Sequence, residues 1–253
     1  MMSKIKKILR GVFVALFWLG VWAACAAAIG KSVILPSPAA VLRTLISLLG
    51  TKSFYVSCGY SLLRIFTGLL AGVVVGTALA VLTEISGLAR ALLSPVAEVI
   101  KATPVASVII VLLFILSKQI VPTLAAALMV FPILFMNVRK GMTSVSQSAK
   151  EVALVYDFSA KKKLRMLYMP SVMPYFSAGC KSALGLAWKA GIAAEVLCTP
   201  KNSIGTMIYD SKIYLESETL FAWTAVVVLL SFLIEKLLVG LLDKLFKGAA
   251  ENA

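Results

Sequence analysis

The chain has 253 residues with a mean hydropathy of +0.97, and 60% of them are hydrophobic while only 14% are charged. A soluble domain carries about a quarter charged residues, so the composition excludes an ordinary soluble fold and predicts an all-α membrane protein with a single transmembrane domain over residues 1–253. The net charge of +14 comes from cations that flank apolar runs, so we assign it to membrane topology and anionic lipid rather than to nucleic acid.

The first apolar run, Ile8–Ile29, follows a basic N-terminal segment. Such a segment before an apolar run, with the alanine-rich stretch 23–28 behind it, is also typical of a cleaved signal peptide. The run has about 22 residues, which is enough to cross the hydrocarbon core of a bilayer. We therefore favour an uncleaved first span and keep the signal peptide as the alternative.

Apolar length predicts six spans, and the third is expected to extend backward through the helical stretch Leu88–Lys101. The six runs are Ile8–Ile29, Cys58–Thr83, Thr103–Leu116, Ile120–Val138, Val172–Cys198 and Thr219–Leu242. Most of the 25 Lys and Arg then fall in or beside the segments on one side of the membrane, which are 1–7, 84–102, 139–171 and 243–253. The positive-inside rule places these segments, and both termini, in the cytoplasm.

A short amphipathic helix is predicted between the first two spans. The turn Leu35-Pro36-Ser37-Pro38 is rigid, and an apolar stripe follows it over residues 41–49 beside Arg43. This stripe fits a helix lying at the extracytoplasmic membrane interface, and it fits equally well a loop helix packed on the bundle.

The cytoplasmic loop 139–171 is predicted to form two short helices. The first covers about Ser148–Tyr156, where small and apolar residues recur at helical spacing. Asp157 takes the turn, because a short polar side chain tolerates positive φ. Ser159 caps the second helix, and Pro170 ends it.

The basic residues of this loop admit two interpretations. Lys161, Lys162 and Lys163 fall in the first turn of the second helix, where cations are unfavourable. Contact with anionic lipid would remove that conflict, and so would contact with a partner protein.

The spacing within the loop is specific. The sequence reads Glu151-Val152-Ala153, three residues, Asp157, nine residues, and then Leu167-Tyr168-Met169-Pro170. This resembles the EAA loop of ABC-importer permeases, which has Glu-Ala-Ala, three residues, Gly, nine residues and Ile-x-Leu-Pro. Asp157 is the main departure, because Gly makes the turn at lower cost.

The resemblance covers about Leu35 to Leu242 and is closest to permeases of the nitrate/sulfonate/taurine type. The further stretches that carry it are Leu35-Pro36-Ser37-Pro38, the run from Ser61 and Arg64 through Gly68, Gly72 and Gly76, Ala183–Trp188 with Ala193-Ala194-Glu195, and Ser203-Ile204-Gly205.

Several features follow from this resemblance as expectations. It implies a multi-pass permease in a bacterial plasma membrane, working as a homodimer with two copies of an ABC ATPase subunit and an extracytoplasmic binding protein. The solute would be small and polar or anionic, of the sulfonate, taurine, nitrate or vitamin-precursor class, and transport would proceed by alternating access. The loop would insert a coupling helix into a groove of the ATPase through Glu151, Val152, Ala153, Leu154, Asp157, Lys161 and Leu164.

No ATP site is expected in the chain itself. Its one Gly-Lys-Ser, at residues 30–32, has Cys25 where the Walker A pattern requires glycine. The resemblance places ATP and Mg on the partner ATPase, and we expect no catalytic residue, metal or cofactor here. The lack of histidine argues against an intramembrane enzyme. An ion-gradient-driven secondary transporter remains the alternative, with Lys181, Lys189 and Glu195 as its relay groups.

Two sets of residues within the spans are candidates for packing or transport. Gly68, Gly72 and Gly76 lie four residues apart on one helix face, which permits close helix contact either within the chain or across a dimer interface. Charged residues in a membrane are costly and are often functional. The candidates for a polar pathway or dimer interface are Arg64, Lys181, Trp188, Lys189 and Glu195, with a structural ion pair between helices as the alternative.

Overall fold

Helices are the regular elements of the part of the chain that the structure describes. The computed structural model describes residues 2–251, with side chains described for residues 9–242 and 244. The helices are α1 (Met2–Ile29), α2 (Pro38–Leu49), α3 (Lys52–Ile85), α4 (Gly87–Ala102), α5 (Val105–Ile115), α6 (Val121–Thr143), α7 (Gln147–Val155), α8 (Ala160–Lys163), a π-helical turn (Leu164–Tyr168), α9 (Met169–Cys198), α10 (Ile204–Ile213) and α11 (Ser217–Glu251).

Apolar length confirms four of the predicted spans as helices that can cross a bilayer. The segments are Leu9–Ile29, Lys52–Ile85, Val121–Thr143 and Ser217–Leu242, and a fifth crossing results if α4 and α5 count as one bent unit. Helix α9 has 30 residues, or about 45 Å of length, but its composition is not apolar enough for it to be among these candidates.

Helices α3, α6 and α9 form the centre of the bundle. Glycine residues on α3 determine how closely α3 approaches α6. A Cβ at Gly72 of α3 would lie 2.6 Å from the carbonyl oxygen of Ala127 and 2.7 Å from the Cβ of Val130. The row of three glycines on α3 therefore packs against α6 within the chain, so the intramolecular alternative is the one observed. The row meets α6 in increasing residue order, so α3 and α6 run parallel.

Helix α9 runs antiparallel to both of these helices. Its start faces the end of α6, where a Cβ at Gly141 would lie 2.7 Å from the Cα of Val172. Near its far end, Glu195 pairs with Arg64 in the first half of α3. The bundle therefore has a loop end, where α3 and α6 finish and α9 begins, and an opposite end, where α3 and α6 begin.

The predicted backward extension of the third span is confirmed as a helix, but this helix is not continuous with the rest of the span. Helices α4 and α5 are separate and meet at an angle of 107°. Thr103 has extended backbone angles and precedes Pro104, which caps α5, and a residue before proline is disfavoured in the helical conformation. Helix α5 alone has 11 residues, about 16 Å, which is half the thickness of the hydrocarbon core.

The bent pair returns the chain from the loop end to the opposite end. Ser94 of α4 accepts a hydrogen bond from Arg139 at the end of α6 (2.8 Å). Gln119, just beyond α5, accepts one from Arg64 near the start of α3 (3.0 Å). This return is required because α3 and α6 run parallel.

Helix α2 packs on the bundle through one face and leaves the other open. Val41 is buried, while Leu42 and Ile46 on the other side of the helix are 57% and 62% exposed. Ser37 caps the helix by accepting from the Ala40 N–H (3.3 Å). The packed-helix alternative is thus confirmed for one face, and an apolar face remains for the membrane interface.

Three helices end on residues other than glycine in the left-handed conformation. These residues are Asp157 after α7 (φ 43°), Thr199 after α9 (φ 46°) and Leu215 after α10 (φ 58°). After α10 the N–H of Glu216 donates to the Ser211 carbonyl (2.8 Å), as in a Schellman motif. Glycine is the usual residue at this position, because a Cβ there is strained.

Leu215→Gly should therefore raise the free energy of unfolding. The Leu215 side chain is 69% exposed, so its loss removes few contacts, while the left-handed strain of about 1–2 kcal/mol disappears. The greater freedom of glycine in the unfolded chain offsets part of this gain, which leaves a net increase of up to about 1 kcal/mol. Thermal unfolding in detergent measures it, and unchanged or lower stability would show that the leucine side chain compensates for its strain.

Candidate functional site

The loop 139–171 folds largely as its sequence predicts. Helix α7 covers Gln147–Val155, and Ser146 caps it by accepting from the Ala149 N–H (3.3 Å). Asp157 has φ 43°, and the N–H of Phe158 donates back to the Ala153 carbonyl (2.9 Å). This is again a Schellman motif, with Asp157 at the position that glycine prefers. The predicted positive-φ turn is confirmed.

The second predicted helix begins where expected but does not end at Pro170. Ser159 accepts from the Lys162 N–H (3.4 Å) and caps α8. The chain then passes through the π-helical turn Leu164–Tyr168 directly into α9. A proline ring clashes with the carbonyl four residues earlier in a regular helix, and the wider π turn lies where that carbonyl sits. Proline therefore occupies the first turn of α9 instead of ending the helix.

Exposed apolar side chains surround the C-terminal end of α7, where Tyr156 is the C-cap. Leu154, Val155 and Tyr156 are 74%, 79% and 72% exposed, and Val152 is half exposed. Neighbouring exposed apolar side chains form a patch of the kind that marks an interaction site. We call these four residues the α7 face.

The other predicted loop residues divide between the surface and the interior. Glu151, Asp157, Lys161 and Leu164 are exposed beside the α7 face. Ala153 is only 1% exposed, so its side chain supports the loop from inside and is not part of the contact surface.

At the opposite end, Arg64 and Glu195 form a buried ion pair. Arg64 Nη1 lies 3.3 Å from Glu195 Oε1, and the side chains are 12% and 0% exposed. Ser61 donates its hydroxyl hydrogen to Glu195 Oε2 (2.7 Å), and the Gly205 N–H donates to the same oxygen (3.2 Å). Both carboxylate oxygens are therefore bonded, as a buried charge requires.

The same arginine joins two turns to this pair. Its Nη2 donates to the Lys201 carbonyl (2.6 Å) and to Gln119 Oε1 (3.0 Å), and its Nη1 also donates to the Asn202 carbonyl (3.1 Å). One planar guanidinium thus connects α3, α9 and the turns before α6 and α10. We call Ser61, Arg64, Gln119, Glu195 and Gly205 the polar hub.

Arg64 and Glu195, two of the five charged or aromatic candidates, form a structural ion pair in the polar hub. Trp188 is also internal, since it is 3% exposed and donates its indole N–H to the Val227 carbonyl of α11 (3.2 Å). Lys189 is exposed and Lys181 is half-buried. Of the five candidates, only these two lysines lie on the open side of α9.

Sequence reasoning missed three members of the hub. Ser61 and Gly205 were noted only as parts of matching stretches, and Gln119 was not noted. A Cβ at Gly205 would collide with the Cβ and carbonyl carbon of Glu195, so glycine is needed for this approach. The unpaired charges of Arg64 and Glu195 in apolar runs were the only signal that could have linked the two regions.

Parallel α3 and α6 and several apolar helices long enough to cross a bilayer are consistent with a multi-pass membrane protein. The chain belongs to the family described as binding-protein-dependent transport system inner membrane component, whose model matches residues 68–248. It is thus a multi-pass membrane permease of an ABC importer family.

The relatives are transport permeases, and one of them is named as an import permease. "Taurine transport system permease protein TauC" of Escherichia coli is 25% identical over 207 residues, which are 79% of this chain and 75% of the relative. "Putative aliphatic sulfonates transport permease protein SsuC" of Bacillus subtilis is 24% identical over 195 residues, 76% and 70% of the two chains. "Nitrate import permease protein NrtB" of a Synechocystis species is 27% identical over 216 residues, 81% and 77%.

Proposed function

We propose that the chain is the permease of an ATP-driven importer and that the α7 face docks on a partner ABC ATPase, which binds and hydrolyses ATP-Mg. The carrying observation is the exposure of Leu154, Val155 and Tyr156, three consecutive apolar residues at the end of α7. Apolar side chains in this arrangement gain free energy when a partner covers them. The exposed Glu151 and Lys161 beside the face would supply polar contacts at its rim.

We further propose six crossings within one domain over residues 1–253. They are α1, α3, the bent pair α4–α5, α6, α9 and α11. The loop 139–171 and both termini would lie in the cytoplasm of a bacterial cell, because Lys and Arg concentrate there. The polar hub would then close the extracytoplasmic end, where a binding protein delivers the solute.

The open side of α9 supports a dimer of two copies of the chain. Lys189 is exposed there, about two helical turns beyond the half-buried Lys181. Lysine at this depth is unfavourable against lipid and is normally found facing protein or water. A second copy facing this side would enclose an aqueous pathway lined by the lysines, and two ATPases would serve the pair.

The lysines favour a small anionic or polar solute. Two copies of Lys189 would add positive charge to a pathway of low dielectric, which attracts anions. Named solutes of the relatives, such as taurine and nitrate, are consistent with this class. The individual solute follows from the binding protein with which the chain works.

Docking is tested with Leu154→Glu in the full chain, co-expressed with the ABC ATPase subunits of its own organism, and the native chain identifies the ATPase that co-purifies. We expect the variant to lose co-purification of the ATPase by a factor of about ten or more, because a buried unpaired charge costs several kcal/mol. Ser148→Glu adds the same charge to the exposed first turn of α7 and should retain the ATPase. Equal recovery with both variants, or no ATPase with the native chain, would contradict the proposal.

The variant Asp157→Gly keeps the left-handed turn and removes the carboxylate, so it distinguishes the contributions of the two. Gly adopts positive φ without strain, so we expect α7 to keep its position and the ATPase to co-purify and hydrolyse ATP at least as well as with the native chain. A loss of ATPase stimulation with normal assembly would show instead that the carboxylate itself contacts the partner.

A further inference from the structure

A second polar cluster lies at the loop end, where α3, α4 and α6 meet. Arg90 of α4 donates to Glu84 Oε2 (3.0 Å) and to the Thr83 carbonyl (3.2 Å). Arg139 of α6 donates to Ser94 of α4 (2.8 Å) and lies over the ring of Phe135 (5.5 Å to the centroid). We call Glu84, Arg90, Ser94 and Arg139 the Arg139 cluster.

One contact of the cluster is incomplete. Glu84 Oε1 and Arg139 Nε are 3.8 Å apart, too far for a hydrogen bond. Both atoms are buried and have no hydrogen-bond partner among the described residues. Buried polar atoms are nearly always bonded, and here two complementary ones face each other. An approach of about 0.8 Å would complete the bond.

Arg139 lies where the loop 139–171 joins the helix bundle. It lies four residues before the end of α6 at Thr143, and only residues 144–146 separate α6 from α7. On the other side of the same helix end, Gly141 packs against Val172 of α9. A displacement of α7 therefore reaches α9 through backbone packing and reaches α4 through the Arg139 side chain.

We propose that Arg139 is a positioning residue that makes α4 follow the movement of α7, and that its Nε–Glu84 bond closes when α7 is displaced. The proposal rests on the proposed function, because a partner ATPase must act on α7. Its physical basis is the planar guanidinium, which bonds Ser94 and faces Glu84 at the same time. A lysine at this position has one point charge and no such geometry.

Two pairs of spin labels, drawn from three exposed positions, measure this coupling in the assembled complex. Glu98 of α4 and Ser148 of α7 are exposed, as is Lys201 at the opposite end. Cys25 is exposed and would be replaced by serine, while the other three cysteines are buried. Distances for the 98–148 and 148–201 pairs are recorded without nucleotide and after trapping with ATP and vanadate.

In the native complex we expect trapping to shift the 148–201 distance while the 98–148 distance distribution stays narrow. Arg139→Gln should broaden the trapped 98–148 distribution about twofold, since the linkage between two elements is lost. Arg139→Lys should broaden it as well. Lys140→Gln removes the neighbouring charge, and we expect the native result for it.

The outcomes separate the two proposals. If trapping shifts the 148–201 pair while both Arg139 variants keep a narrow 98–148 distribution, Arg139 has no positioning role and the coupling function stands. If trapping shifts no pair in the native complex, the coupling function and this inference both fail. Thermal unfolding identifies a variant that fails to fold. If Arg139→Gln fails to fold, the distance distribution of Arg139→Lys, which retains the charge, decides whether Arg139 has a positioning role.

Discussion

Glu195→Ala should lower the free energy of unfolding by about 3–5 kcal/mol, because removing one partner of a buried ion pair leaves the other charge unpaired. Arg64 would keep two carbonyls and Gln119 but lose its anion. The Ser61 hydroxyl and the Gly205 N–H would also lose their acceptor. Glu195→Gln retains an acceptor oxygen and should cost less.

A thiol-reactive dye in detergent gives the readout for these variants. Cys58, Cys180 and Cys198 are buried and become reactive only when the bundle opens. Glu98→Ala is the matched control, since Glu98 is an exposed glutamate in α4 and its loss should leave stability nearly unchanged. If Glu195→Ala and Glu98→Ala unfold at the same temperature, the hub contributes nothing to stability.

The second large effect is expected from the contact between α3 and α6. Gly72→Ala places a methyl group 2.6 Å from the Ala127 carbonyl oxygen and 2.7 Å from the Val130 Cβ. A backbone oxygen cannot move aside as a side chain can, so the helices must separate. We expect a loss of about 1–3 kcal/mol in the free energy of unfolding, as for other overpacked cores.

Gly59→Ala is the control on the same helix. A Cβ at Gly59 meets nothing within 4 Å, so this change should stabilise α3 by about 0.5–1 kcal/mol through its higher helix propensity. The two alanine variants should therefore change the unfolding temperature in opposite directions. A stabilised Gly72→Ala chain would mean that α3 and α6 do not approach as closely as described.

Local chemistry was readable from the sequence, and contacts between distant segments were not. The Ser159 cap and the left-handed turn at Asp157 depend on neighbouring residues, so their residue types predict them. The pair Arg64–Glu195 joins residues far apart in sequence. Either charge taken alone fits a pathway, an interface or an ion pair equally well, and only the packing of α9 on α3 decides.

Two prolines show the same limit of sequence-based prediction, with opposite results. Pro104 follows an extended Thr103 and breaks the third predicted span into two helices, while Pro170 is absorbed into a continuous helix. The local rule is the same in both cases. The outcome differs because the π turn before Pro170 accommodates the ring, and the residue types of Leu164–Tyr168 do not signal that turn.

The π turn also determines the rotation of α8 about the axis of α9. A π turn holds more residues than an α turn, and one residue of an α-helix corresponds to about 100° of rotation. The extra residue within Leu164–Tyr168 therefore rotates α8 and its three lysines about the axis of α9 by about a quarter turn relative to an uninterrupted helix. The direction in which these three lysines point, and so the side from which a partner meets them, depends on the length of this one turn.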